Sequence, residues 1–327
     1  MSVYWVSGGT GTLGTALTLR LLAEGHKVRT FSRNEHNIEK LQRTVSEKHQ
    51  VNLSCHVGSV EDKSRVARSM AGADFVVHAA AVKIIPIAEY NPNECVKTNI
   101  GGTQNVVDTC LDIGIKRAVF VSSDKARAAS TLYGATKFCA ERLWLASNRY
   151  RGSRGGIFSA VAWGNVWGSR GSVLHAFSQH AQFGALQVTD PAMTRFHITL
   201  HQAVQLVLDA VAHAEPGTLW IPKLPSYSIG DLARAFMKVY GIEREPVVTG
   251  RRPAEKVHED LISENESCSV KRQVEDRHAE RGNGLYVLEP GQVHEKGGWS
   301  YNSGSNPWRL TNEQLEKEIA SWTGRSS

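Results

Sequence analysis

Residues 3–25 read VYWVSGGTGTLGTALTLRLLAEG. An apolar run, VYWVS, meets a glycine-rich turn, and a helical pattern follows and stops at Gly25. Gly8, Gly11 and Gly14 stand at GxxGxxG spacing between that strand and that helix. Glycine permits the tight turn and lets backbone N–H groups approach a pyrophosphate, where the helix N-terminus adds partial positive charge. The strand before and the helix after supply the context that makes the spacing specific.

The rest of the first 140 residues repeats this alternation. KVRTFSR, VNLSCHVG, ADFVVHAAA and RAVFVSS read as strands two to five. NIGGTQNVVDTCLDIG and TLYGATKFCAERLWLASN read as helices, and IFSAVAWGN as a sixth strand. Alternation at this spacing predicts an α/β fold, a doubly wound parallel sheet of Rossmann type covered on both faces. After Asn165 Gly, Ser and Pro become frequent. HQAVQLVLDAVAHA and SIGDLARAFMKVYG still read as helices, GTLWIPK as a strand returning to the first sheet, and 263–306 as loop-rich. The expected division is a nucleotide-binding domain over 1–165, regaining a strand and helix from about 197–223. A smaller substrate domain takes 166–196 and 224–327.

The chain has 327 residues, 41% hydrophobic and 21% charged, as expected of a globular enzyme. Its net charge of +6 comes from scattered basic residues rather than a run, which favours an anionic small substrate over nucleic acid. No basic helix or aromatic platform suggests a nucleic-acid surface. Five cysteines without a CxxC pair point to a reducing compartment and no structural metal. With no signal-like opening and no long apolar run, a cytoplasmic protein without a membrane span is expected.

Strand two ends in FSRNE. Ser32 and Arg33 stand where an NAD site usually places a carboxylate near the ribose 2′-hydroxyl. A guanidinium suits a 2′-phosphate, so the expected cofactor is NADP.

Residues 122–137 read SSDKARAASTLYGATK. Tyr133 and Lys137 are four apart at a helix start and share a face. A tyrosine with an ordinary pKa of about 10 needs a nearby cation to act as a base near neutrality. Ser123 supplies the hydroxyl that completes a hydride-transfer triad. Asp124 and Lys125 exceed what oxidation needs. A ketone formed at one carbon acidifies the neighbouring C–H, and a base and an acid can then eliminate a β-hydroxyl as water. Asp124 as acid and Lys125 as base fit that step if burial holds the first protonated and the second neutral. Lys137 is expected to stay charged. The alternative, a structural Asp124–Lys125 ion pair, is equally compatible with these residues alone.

With GGTGTLG, FSRNE, HAAAVKIIPIAEYNPNECVKTNIGGTQNV, SSDKA, LYGATK, GNVWGSRGSV, MTRFHITL and RRPAEKVHE in this order, the chain resembles extended short-chain dehydrogenase/reductases. Among them it is most similar to the UDP-N-acetylglucosamine 4,6-dehydratases of the C5-inverting type. The resemblance implies catalytic roles for Ser123, Asp124, Lys125, Tyr133 and Lys137; Asp–Lys in place of Asp–Glu is what suggests inversion. It implies NADP contacts from Gly8, Thr10, Gly11, Thr12, Leu13, Gly14, Ser32, Arg33, Ala79, Ala80, Lys83, Asn99, Tyr133 and Lys137. It implies UDP-sugar contacts from Lys83, Asn165, Arg170, Val173, Arg195, Arg252 and Glu255, and a homo-oligomer. A 4-epimerase or a C5-retaining dehydratase would share most of these residues. Departures from the family pattern occur at Ser123, Ser59, Ile84, Ala162 and Trp163, and they bear on substrate detail.

Overall fold

A computed structural model describes residues 1–152, 156–183, 185–274 and 284–322. Its centre is a nine-stranded sheet. Six strands come from the alternating region: β1 (Val3–Ser7), β2 (Lys27–Ser32), β3 (Leu53–Val57), β4 (Phe75–His78), β5 (Arg117–Val121) and β6 (Ile157–Val161). Three follow later: β7 (Leu219–Pro222), β8 (Val270–Val274) and β9 (Leu285–Leu288). The order across the sheet is β8-β9-β7-β6-β5-β4-β1-β2-β3.

β1 to β7 pair in parallel. Trp5, Val6, Val76, Val77, Val119 and Phe120 are buried, as helices on both sheet faces require. The predicted parallel sheet and the return of GTLWIPK as β7 are both present. The 263–306 segment departs from its loop reading: β9 pairs antiparallel with β7, and β8 with β9. β8 alternates poorly and its register shifts between Val270 and Arg272, so its period is hard to see in sequence. The helix Asn312–Ser321 also escaped the sequence reading, although Thr311 and Gln314 form its capping box.

Strand order reverses at β1, which lies between β4 and β2. A doubly wound sheet opens its ligand crevice at such a point, beyond the carboxyl ends of the strands. Gly8 to Gly14 follow β1 there, and Ala79 and Ala80 follow β4. Gly8 has φ +65°, and a Cβ on it would stand 3.0 Å from the Ala79–Ala80 backbone.

A second hydrophobic core joins Leu174, Phe177, Leu186, Tyr227, Leu232, Phe236, Leu315 and Ile319. It packs helices Val173–Ala181, Ile229–Tyr240 and Asn312–Ser321. A short sheet of Asn165–Val166, Thr194–Ile198 and Ser226–Ser228 lies beside them.

Candidate active site

The glycine turn forms a cradle. A Cβ at Gly14 would lie 2.3 Å from the Gly8 carbonyl oxygen, so only glycine lets the helix Thr12–Ala23 start this close to β1. Gly11 caps that helix without a side-chain bond, and no acidic residue occupies its first turn. Its leading N–H groups and dipole are therefore free to meet an anion. Thr10 Oγ1 and Ser32 Oγ lie 2.7 Å apart and tie the turn to β2. Beneath it Ser7 Oγ accepts from Ala79 and Ala80 N–H, each at 3.1 Å. Leu13 packs on the main core.

Arg33 is more than half exposed, with Nη1 3.9 Å from Glu61 Oε1. Arg170 reaches across from the segment before the helix Val173–Ala181: its N–H donates to Thr12 Oγ1 at 3.3 Å and its guanidinium to the Thr10 carbonyl. It therefore meets the glycine turn. Desolvation first, and Arg170 second, hold the Lys83 ammonium below the usual lysine range. Asn99 is buried in a π-helical turn, Lys97–Gly101. Its Oδ1 accepts from Val82 N–H at 2.8 Å and its Nδ2 donates to Thr136 Oγ1 at 2.9 Å. Asn99 thus fixes the segment that carries Lys83.

Tyr133 and Lys137 lie one turn apart in the helix Leu132–Ala146, which Thr131 caps by accepting from Gly134 N–H. Both are buried. Lys137 Nζ donates to the Val121 carbonyl at 2.7 Å and sits 3.8 Å from the Phe120 ring centroid. Burial against apolar β5 brings it down to about 7, and Glu141 opposes this only in part, so near neutrality Lys137 is poised between its charged and neutral forms. Burial also pushes Tyr133 above its ordinary value, while Lys125 and a Ser123 hydrogen bond pull it down. The cation that acidifies the phenol is Lys125.

The turn Asp124–Ala126 packs directly on that helix. A Cβ at Gly134 would fall 2.2 Å from the Lys125 carbonyl oxygen. Asp124 is 1% exposed. Its Oδ1 accepts from Ser123 Oγ at 2.8 Å and from Lys125 N–H at 2.9 Å. Lys125 Nζ stands 3.2 Å from each Asp124 oxygen. Burial alone would drive Lys125 to give up its proton. The carboxylates of Asp124 and then Glu259 outweigh it and hold Lys125 above the ordinary lysine range. The structure thus holds the two side chains as an ion pair, the alternative that the residues alone left open, with the proton kept on Lys125.

Glu259 was assigned no role from sequence. It follows Glu255 by four in RRPAEKVHE, outside any regular element, so no periodicity marks it. It is buried, with Oε1 3.6 Å from Lys125 Nζ and 3.8 Å from Arg195 Nε. Arg195 is buried too and donates to the carbonyls of Thr194, Lys256 and Val257, with Glu255 Oε1 4.0 Å away. Arg195 thus frames the 255–259 segment over the turn. Arg252 is exposed beside it, and its N–H donates to Glu255 Oε2 at 3.2 Å. Asn165 Oδ1 is buried without a hydrogen-bond partner among the described residues. Val173 opens the helix Val173–Ala181. Asp124, Lys125, Tyr133 and Lys137 thus converge at one end of the sheet, Arg33 and Arg170 flank the glycine turn, and Arg252 stands at the rim.

Residues 4–280 match a family described as polysaccharide biosynthesis protein. The chain is 38% identical, over 95% of each chain, to a UDP-N-acetylglucosamine 4,6-dehydratase (inverting) of Campylobacter jejuni. It is 33% identical to a UDP-glucose 4-epimerase of Rickettsia rickettsii over 81% of this chain and 79% of that one. Among solved structures it is similar to Pen from Bacillus thuringiensis, with a TM-score of 0.89 and 34% identity over 98% of each chain.

Proposed function

The chain belongs to the polysaccharide biosynthesis protein family of extended short-chain dehydrogenase/reductase fold, and from that premise we propose that it is an NADP-dependent UDP-N-acetylglucosamine 4,6-dehydratase. Its product is a UDP-4-keto-6-deoxy sugar inverted at C5. The observation that carries this reading is the ion pair of buried Asp124 with partly buried Lys125 beside Tyr133.

Tyr133 takes the proton of the C4 hydroxyl; burial holds the phenol above its ordinary value, and Lys125 and Ser123 pull against that. A bound nicotinamide dinucleotide would supply the acceptor for the C4 hydride and the hydride that C6 receives. Its place is the glycine cradle, where Gly8, Gly11 and Gly14 admit a pyrophosphate and the helix N-terminus faces it. Arg33 at the end of β2 supports a 2′-phosphate, hence NADP.

One proton moved across the 3.2 Å between Lys125 Nζ and Asp124 turns the ion pair into an amine and a carboxylic acid. Those are the two forms that elimination requires. The Lys125 amine takes the C5 proton, and Asp124 gives its proton to the departing C6 hydroxyl, which leaves as water. Both residues are then back in the charge state of the resting structure; C5 takes a proton from solvent on its opposite face as C6 receives the hydride, and Tyr133 releases the C4 proton it holds. Arg252 at the rim supplies positive charge for the UDP diphosphate. The protein works in the cytoplasm as a homo-oligomer.

A second reading, 4-epimerisation, draws on the Rickettsia relative. It uses Tyr133 and leaves the Asp124–Lys125 pair without a task. Proton NMR of the product from UDP-N-acetylglucosamine separates the two. A new C6 methyl doublet is expected; its absence, with a changed C4 configuration, overturns dehydration.

A further inference from the structure

The geometry points to Glu259 as a positioning residue of the elimination half-reaction: from a separate segment it holds the Lys125 amine group against Asp124 and in line for the C5 proton. This rests on the dehydratase reading. Lys125 has Asp124 as its neighbour in the chain, so that contact alone leaves the lysine stem free to swing about its own turn. Glu259 Oε1, 3.6 Å from Nζ, ties it from outside. The glutamate is itself held by its backbone. Its N–H donates to Ser303 Oγ at 2.9 Å, and its carbonyl accepts from Ser303 N–H at 2.8 Å. Neither bond uses the side chain, so the carboxylate is free to act on Lys125.

The burial is costly enough to need a reason. Glu259 is 4% exposed, and its Oε2 has no hydrogen-bond partner among the described residues. An unsatisfied buried carboxylate oxygen is destabilising. Burial pushes Glu259 above the usual carboxylate range against the pull of Lys125. The groups that act on Glu259 are Lys125, Asp124, Arg195 and Lys256; those on Lys125 are Asp124, Glu259, Arg195 and Tyr133. Arg195 offsets part of the negative charge, so Glu259 can anchor the ammonium without fixing its proton permanently.

The test compares wild type, Glu259→Gln and Glu259→Asp on UDP-N-acetylglucosamine. In Glu259→Gln the maximal rate should fall roughly 10- to 100-fold with KM unchanged, the scale of a reacting group misplaced by about 1 Å. Nicotinamide reduction in a single turnover should keep its wild-type rate, while exchange of C5–H with D₂O slows with product formation. Loss of one carboxylate should also move the basic limb of the pH–rate profile to lower pH, because Lys125 then loses to solvent more readily the proton that elimination needs. Glu259→Asp keeps the charge but shortens the reach, so its plateau falls and its basic limb stays. If the glutamine variant does not fold, the aspartate variant decides alone, and a wild-type plateau there overturns the proposal. So does a glutamine variant with wild-type rate, or one in which reduction and elimination slow together. A wild-type enzyme that releases no 4-keto-6-deoxy product removes the dehydratase reading itself, before any variant is compared.

Discussion

The Lys125 ammonium lies 3.2 Å from both carboxylate oxygens of Asp124, its neighbour in the chain, and the carboxylate is almost wholly buried. Adjacent side chains in a strand would point to opposite faces. Here the 3-10 turn Asp124–Ala126, capped by Ser123, brings them together. One turn thereby presents an acid and a base to the same substrate.

Lys125→Met should remove the base and leave Asp124 buried without its cation. Dehydration should fall by about 10²- to 10⁴-fold, the usual contribution of a positioned acid or base. NMR of the product and C5 deuterium incorporation measure it. A variant that still dehydrates at wild-type rate removes lysine from the mechanism.

Arg33→Ala should weaken NADP binding and leave NAD binding unchanged. A charge-assisted contact contributes about 1.5–3 kcal/mol, or roughly 10- to 100-fold in affinity. Glu61, 3.9 Å away, should then repel a 2′-phosphate without compensation. Titration calorimetry with both dinucleotides reads this; equal losses for both would mean that Arg33 does not recognise the phosphate.

Much of this was legible in sequence because it depends on local pattern. Gly8, Gly11 and Gly14 announce the turn, and the apolar runs of β1, β4 and β5 announce a sheet buried on both faces. The Tyr133–Lys137 spacing gives a shared helix face. What stayed hidden depends on long-range packing. Glu259 is 134 positions from Lys125, and nothing in its neighbours shows that it meets a lysine. What holds the proton on Lys125 is only partly legible for the same reason: beside its neighbour Asp124, a second carboxylate comes from that distant segment. Arg170 was expected at the substrate, and its contacts with Thr10 and Thr12 become visible only when the two cores are brought together.

Lys137→Met should change how stability depends on pH. In the folded chain Lys137 loses its proton near 7, well below the ordinary lysine value of 10.5. The unfolded state therefore binds more protons between about pH 7 and 10.5, and this residue makes stability rise with pH across that window. Below about 7 its cost is fully present; above about 10.5 it is gone. The methionine variant should gain most over wild type on the acidic side, with the gain shrinking toward pH 10. Urea unfolding of the dinucleotide-free protein at several pH values tests it; a constant difference would contradict the assignment.

Gly134→Ala should loosen the catalytic turn. The new Cβ would meet the Lys125 carbonyl oxygen, a backbone atom that can yield only if the Asp124–Ala126 turn shifts. Alanine is otherwise the better helix former. The expected outcome is a loss of about 1–3 kcal/mol, the usual range for overpacking, together with a lower maximal rate. Denaturant unfolding and turnover, measured on the same preparation, should move together.

Arg127 continues from that turn into the protein interior, where no part of its side chain reaches solvent. Its guanidinium pairs with Glu141 on the Tyr133–Lys137 helix and with Glu266 beyond β7, and Arg142 shares Glu266 at 3.2 Å. Its carbonyl accepts from Lys256 Nζ at 2.6 Å, which ties the segment bearing Glu259 to the same point. Arg127→Met should cost about 3–5 kcal/mol, because it strands a buried carboxylate rather than because the pair itself is strongly stabilising. Glu141 bears most of that cost, since Glu266 keeps Arg142. Adding Glu141→Gln should therefore restore part of the stability, giving a non-additive double-mutant cycle. Turnover should stay low in both variants, because the Arg127 side chain that ties the Asp124–Ala126 turn to Glu141 and Glu266 is missing from each. Additive losses in denaturant unfolding would show that Arg127 and Glu141 are not coupled.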